Sequence, residues 1–344
     1  MVFMIKDTIT STDIKKIFRF EDRSKTLQAV YGSEERKEIP FAERIYRGKV
    51  SVRHWKYSDL PEIGSSFGYI KKPPHQIVIT KYIQKGGVLK TTTTFNEAMT
   101  YALNGLKTII IGQDFECSIT DVILPQGKID SIDEDKKMLG LYHHLVEGAK
   151  ITDVIQKTAL PTLDIIPETH DLVLLDKWID QQKRREYLYK DKLIPLLKDY
   201  DVVIFDNNPS WNHLTENSIV SSHAIISPLG CNLLAYNAAE TNMATIYDFQ
   251  EAMSLRDQVH VMFPTLLENT SLSKQIYAQY IAKFPEIIAT PIKTAVKFQE
   301  ALMMRQSIIE YAPSSSNAQD YYDLICDIWT RILKPYTFKI DKEI

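Results

Sequence analysis

From about residue 76 onward, short apolar runs rich in β-branched residues alternate with longer amphipathic stretches. Gln76–Lys81, Lys107–Ile111, Thr162–Ile166, Val202–Asp206, Ala224–Pro228 and Val259–Phe263 have strand length and are apolar nearly throughout. Strands buried on both faces carry that pattern. Between them, Thr91–Leu103, Leu172–Leu197, Ala238–Met253 and Leu272–Lys283 are read as helices. The alternation predicts an α/β fold: a doubly wound, mostly parallel sheet with helices on both faces. In such sheets ligands sit at the carboxyl ends of the strands.

The first seventy-five residues follow another pattern. Helical segments are expected over Ser11–Phe18, Ser24–Tyr31 and Pro40–Tyr46, followed by RGKVSVRHWKYSDLPEIG. Pro73–Pro74 disfavours helix and marks a boundary. The expected organisation is therefore a small, mainly helical domain over 1–75 and an α/β domain over 76–344. Composition fits a globular chain of more than one unit, with 44% hydrophobic and 25% charged residues. No run is apolar enough to span a bilayer, and the amino terminus lacks the pattern of a secretory signal. Cys117, Cys231 and Cys326 lie far apart, which suits reduced thiols in a cytoplasm.

The net charge of −3 conceals an asymmetry. Residues 1–84 carry 16 Lys/Arg against 10 Asp/Glu, whereas the remainder carries 25 against 34. A basic front on an acidic body suits contact with a polyanion. Arg47, Lys49, Arg53 and Lys56, interleaved with His54 and Trp55, are the candidate DNA-binding residues of that front. The front equally suits dimerisation, and a tryptophan such as Trp55 is more often core than contact.

The chemistry concentrates in Lys85–Thr94, KGGVLKTTTT, which follows one expected strand and opens one expected helix. Glycines let backbone amides close around phosphate oxygens, and the helix amino terminus adds the positive end of its dipole. Lys90 is placed to reach β- and γ-phosphates, and the Thr91 hydroxyl to ligate Mg²⁺. The segment departs from GxxxxGK[ST] at Gln84 and Leu89, which stand at the two glycine positions. Its lysine five residues before Lys90 resembles the deviant phosphate loop of the ParA/MinD family of P-loop ATPases.

Further segments extend the resemblance over roughly residues 76–335. DVVIFDNNPS resembles the family segment hhhhDxPPS, which makes Asp206 a Mg²⁺ ligand, partly through water. TIIIGQDFECSIT resembles hhhhDxDPQxxxT, with Asp114 matching the aspartate that orients the attacking water. Gly112 replaces the first aspartate there, and Phe115–Glu116 replace Pro–Gln. The resemblance implies ATP and Mg²⁺ as cofactors, with Lys85, Gly86, Gly87, Val88, Leu89, Lys90, Thr91, Thr92 and Asp206 around the nucleotide. Pro264 and Thr265 are candidate adenine contacts from their strand-end position alone.

By the same resemblance, Lys85 reaches across a nucleotide-sandwich homodimer, while Lys85, Lys90 and Asp114 carry catalysis. Lys297 stands where relatives place a basic residue for nonspecific DNA contact. The implied function is ATP-dependent plasmid partition in the cytoplasm, on the nucleoid, with hydrolysis stimulated by a ParB-type centromere-binding partner. Operon autorepression through the front is a further expectation. Two alternatives remain open at this level. One is a nucleotide-regulated DNA-binding repressor with little hydrolysis, and the other a MinD-like membrane-associated switch. The latter fits poorly with the short, mixed-charge ending RILKPYTFKIDKEI.

Overall fold

In the computed structural model, residues 8–20, 25–124, 138–255, 257–284 and 290–340 are described. The front opens with β1 (Thr8–Thr10), α1 (Ser11–Ile17) and α2 (Leu27–Glu35). Thr10 and Thr26 start these helices, each side chain accepting a backbone amide of the first turn. The helix expected over Ser24–Tyr31 thus runs later, and Ser24 itself lies outside the described residues.

The helix expected over Pro40–Tyr46 does not form. Those residues lead into β2 (Glu43–Arg47), which turns at Gly48–Lys49 into β3 (Val50–Lys56). Gly48 takes a φ of +65°, and Arg47 faces Val50 across the turn, so a two-residue hairpin wins over local helix propensity. β1 pairs on the other side of β3, giving a three-stranded antiparallel sheet in the order β1–β3–β2. α3 (Leu60–Phe67) completes the front.

The body begins with β4 (Ile77–Lys81), α4 (Lys90–Leu103), β5 (Thr108–Gln113), α5 (Ser118–Ile123), α6 (Leu141–Leu145) and α7 (Ile151–Val154). It continues with β6 (Gln156–Lys157), β7 (Leu163–Ile166), α8 (Leu172–Asp180), β8 (Val202–Asn207), α9 (His213–Ser221) and β9 (Ala224–Gly230). α10 (Leu233–Ala252), β10 (Val259–Thr265), α11 (Ser271–Lys283), α12 (Val296–Met303), α13 (Ile308–Tyr311) and α14 (Ser316–Ile340) follow.

All six expected strands join one sheet in the order β10–β9–β4–β8–β5–β7–β6. Every pairing is parallel except that of the short edge strand β6 with β7. The long helix expected over Leu172–Leu197 stops at Asp180. Arg184 adopts a φ of +52° and Pro195 has no N–H to donate, so residues 185–197 form short 3₁₀ and π turns. No described helix is long and apolar enough to cross a membrane.

The hydrophobic core runs without a break from front to body. Ile14, Phe18, Trp55 and Ile63 belong to the same cluster as Ile77, Ile79, Tyr321 and Trp329. Trp55 is buried, and its indole N–H donates to the Pro40 carbonyl at 2.9 Å. The tightest junction lies between α3 and the end of α4. The Asn104 side chain accepts the Tyr69 and Ile70 amides at 2.7 and 3.0 Å. A Cβ on Gly64 would meet the Leu103 carbonyl oxygen at 1.8 Å. Gly64→Ala is therefore expected to destabilise the protein by about 1–3 kcal/mol through overpacking. Thermal melting checks this, and an unchanged midpoint would contradict so close a contact.

Candidate nucleotide-binding site

The register of the sheet brings the chemistry together. Lys81 of β4 and Gly112 of β5 both lie beside Asp206 of β8, so three strands end at one level. The loop from Gln84 to Leu89 leaves β4 there and delivers the chain to the amino terminus of α4. Its entry is held by Asn242 of α10, whose side chain accepts the Gln84 amide at 2.8 Å.

Two loop residues turn through left-handed backbone, Gly87 at φ +71° and Leu89 at φ +68°. Glycine adopts this region freely, whereas leucine is strained in it by about 1–2 kcal/mol. The strain at Leu89 is held by what surrounds it. Val88 is buried, and its carbonyl accepts the Thr265 hydroxyl at 3.1 Å. The Leu89 carbonyl accepts both the amide and the hydroxyl of Thr93.

A cavity of about 370 Å³ opens over this loop. Gly86, Gly87, Leu89, Lys90, Thr91 and Thr92 form one wall, and Asp114, Glu116, Ser118 and Pro209 form the other. Lys90 is buried, and its ammonium donates to the Lys85 carbonyl at 3.1 Å. Burial lowers its pKa, against the opposing pull of Asp206, Asp114 and Glu116. A phosphate would relieve that desolvation.

Asp206 is fully buried and is held by two threonines one helical turn apart. Thr94 donates its hydroxyl at 2.6 Å and Thr91 at 2.9 Å. Burial raises the Asp206 pKa, while the Thr94 and Thr91 hydrogen bonds and the Lys90 charge oppose the rise. Among the described residues no cluster of three or more His, Cys, Asp or Glu forms a metal cage. A hydroxyl beside one carboxylate is instead the donor set for a hard cation that completes its shell with phosphate and water.

The remaining expected residues fall in different places. Asp114 is half-buried on the cavity wall, its carboxylate accepting the Glu116 amide at 3.1 Å. Lys85, which immediately precedes the cavity wall at Gly86, is partly exposed, and its ammonium has no partner among the described residues. Pro264 and Thr265 are drawn behind the loop. Thr265 is fully buried with its hydroxyl on Val88, so it braces the loop rather than lining the cavity.

Of the basic residues of the front, Lys49 and Lys56 are exposed and Arg47 sits in β2 beside the hairpin turn. Arg53 is turned inward. Its guanidinium pairs with Glu34 at 2.7 Å and stacks over Tyr31 at 3.7 Å, which fixes the hairpin on α2. Lys297 is exposed in the first turn of α12.

Two residues of the site were not found in the sequence. Thr94 was signalled only by its spacing of three from Thr91, which puts both on one helix face. Glu168, just beyond β7, carries no motif. It is buried, and burial together with the charge of Asp206 pushes its carboxyl up to about 8.

The strain at Leu89 has a measurable consequence. Leu89→Gly should relieve about 1–2 kcal/mol and return about 0.4–1 kcal/mol of unfolded-chain entropy. The expected net result is a melting midpoint higher by roughly 1–3 °C with nucleotide binding kept. A lower midpoint would show that Leu89 contributes more by packing than it costs in backbone strain.

Residues 76–261 match the AAA domain family (AAA_31). The chain is 30% identical over 249 residues to the chromosome partitioning protein ParA of Caulobacter vibrioides, covering 71% of this chain and 86% of that one. It is 28% identical over 250 residues to the sporulation initiation inhibitor protein Soj of Bacillus subtilis, covering 71% of this chain and 95% of Soj. Its fold superposes on a plasmid partition protein from Borrelia burgdorferi B31 bound to AMPPNP. The TM-score is 0.62 at 21% identity, over 77% of this chain and 99% of the other. The deviant phosphate loop, the strand order around it and these relatives together identify the chain as a member of the ParA-type partition ATPase family.

Proposed function

We propose that the chain binds ATP and Mg²⁺ in this cavity, closes as a homodimer over two nucleotides, and hydrolyses ATP to move DNA cargo. The observation that carries the reading is the Gly86–Thr92 turn at the head of α4, with Lys90 beneath it and Thr91 on Asp206. Backbone amides of that turn and the helix dipole bind the phosphates. Lys90, desolvated and facing three carboxylates, moves from the Lys85 carbonyl onto the β- and γ-phosphates. Bound magnesium would be held by the Thr91 hydroxyl and, partly through water, by Asp206, and would neutralise charge on the phosphates.

Asp114 on the opposite wall orients the attacking water, so that catalysis is positioning plus charge stabilisation. Lys85, partly exposed next to the cavity wall and without a side-chain partner among the described residues, reaches the nucleotide of the second copy. Dimerisation in turn brings exposed Lys297 and the hairpin residues Arg47, Lys49 and Lys56 of both copies to DNA phosphates, a contact that requires only positive charge. Relatives named for chromosome partitioning support this cargo, and the family resemblance suggests a ParB-type partner as the stimulator of hydrolysis on the nucleoid.

Two substitutions separate the roles. Lys90→Ala should weaken ATP binding by roughly 10- to 100-fold, the cost of a lost charged hydrogen bond. Lys85→Ala should leave binding by each chain close to wild type and abolish the ATP-dependent dimer in analytical ultracentrifugation. Unchanged ATP affinity in the first, or a normal ATP dimer in the second, would contradict the assignment. Phosphate release measured with DNA and partner present distinguishes this motor from a repressor that only binds nucleotide.

A further inference from the structure

Glu168 holds the wall of the cavity that carries Asp114. One carboxylate oxygen accepts the Asp114 amide at 3.3 Å. The other accepts the amide and the hydroxyl of Thr120 at 3.1 and 2.9 Å. The Glu168 amide in turn donates to the Thr120 hydroxyl at 3.0 Å. Both ends of the stretch from Asp114 to Thr120 are thereby tied to Glu168, two residues beyond β7. Asp114, Glu116 and Ser118, which face the phosphate loop across the cavity, all lie in that stretch.

The place that Glu168 occupies belongs geometrically to β5. A Cβ built on Gly112 would meet Glu168 Cγ at 2.4 Å and Cδ at 2.8 Å. A side chain at position 112 and the glutamate at 168 in its present rotamer thus compete for one space, and this chain carries the acid just beyond β7 and nothing on β5. Holding a carboxylate in that position is unfavourable, because burial removes its water and Asp206 and, more weakly, Asp114 press on it. The three hydrogen bonds from the Asp114–Thr120 stretch are its compensation. Removing the carboxylate leaves three donors unpaired, two of them on backbone that carries the cavity wall.

We propose that Glu168 is a positioning residue for ATP hydrolysis, holding the Asp114 wall at its working distance from the phosphate loop. It substitutes, from just beyond β7, for a side chain that Gly112 lacks. The inference rests on the ATPase reading above, and one set of variants tests the two separately. Glu168→Ala should lower kcat about tenfold or more, the usual result of misplacing a reacting group by a fraction of an ångström to an ångström. KM for ATP should stay within about twofold, because the phosphate loop is untouched. Gly112→Asp combined with Glu168→Ala returns a carboxylate to the same space and should recover most of kcat. Hydrogen exchange at the Asp114 and Thr120 amides should quicken about tenfold in Glu168→Ala and slow again in the double variant.

Wild-type protein that releases no phosphate under any condition would sink the ATPase reading, and the exchange arm would still decide the role of Glu168. Unchanged protection at Asp114 and Thr120 would overturn the inference. So would unchanged kcat in an active wild type, or kcat and ATP affinity falling together without recovery in the double variant. If Glu168→Ala does not fold, Glu168→Gln keeps the volume and one acceptor. It should then show the same split of kcat from KM, and wild-type kcat in it would equally overturn the inference.

Discussion

The site depends on one buried carboxylate. Asp206 lies one residue before the end of β8, the strand between β4 and β5, and takes hydrogen bonds from Thr91 and Thr94, so the first turn of α4 cannot rotate or slide without leaving a desolvated charge unpaired. That constraint fixes where the loop must end, and hence where its amides and Lys90 point. α4 is correspondingly buried along almost its whole length. Asn96 accepts the Ile308 amide and Tyr321 donates to the Thr93 carbonyl, pinning α4 to the carboxyl-terminal helices. Lys81 and Glu97 form a fully buried ion pair to which Tyr101 donates, pinning it to β4. A phosphate loop on so fixed a helix is preorganised, which lowers the ordering cost of binding.

The same rigidity connects the site to the front. Asn104, at the end of α4, accepts two amides of the segment leaving α3, and Tyr57 donates to partly buried Glu310 between the front and α13. The front is therefore packed as part of the core, with its exposed basic hairpin at the outside. Pro73–Pro74 lies in the irregular stretch between α3 and β4, and the hydrophobic core runs on past it.

The strands of the body were legible because parallel strands covered on both faces are apolar at every position, and all six runs became strands of one sheet. The phosphate loop was legible because lysines, glycines and threonines at that spacing have few other uses. The hairpin was not, because Glu43–Arg47 reads as polar helix until Gly48 and the pairing partner β3 are in place. The break after Asp180 depends on a left-handed Arg184, which no residue type announces. Thr94 was overshadowed by its neighbours in a run of four threonines. Glu168 was invisible because its partners lie 54 and 48 residues away in the chain and only β5–β7 pairing makes them neighbours. Gly112 was read as a degraded motif, although its missing side chain is what makes room for that glutamate.

A structure of the protein with a nonhydrolysable ATP analogue and Mg²⁺ at saturation tests the central claim most directly. The account predicts phosphate oxygens enclosed by the amides of residues 86–92, with Lys90 drawn off the Lys85 carbonyl and a cation between Thr91 and Asp206. A turn that stays empty while Lys90 keeps its carbonyl partner would contradict it.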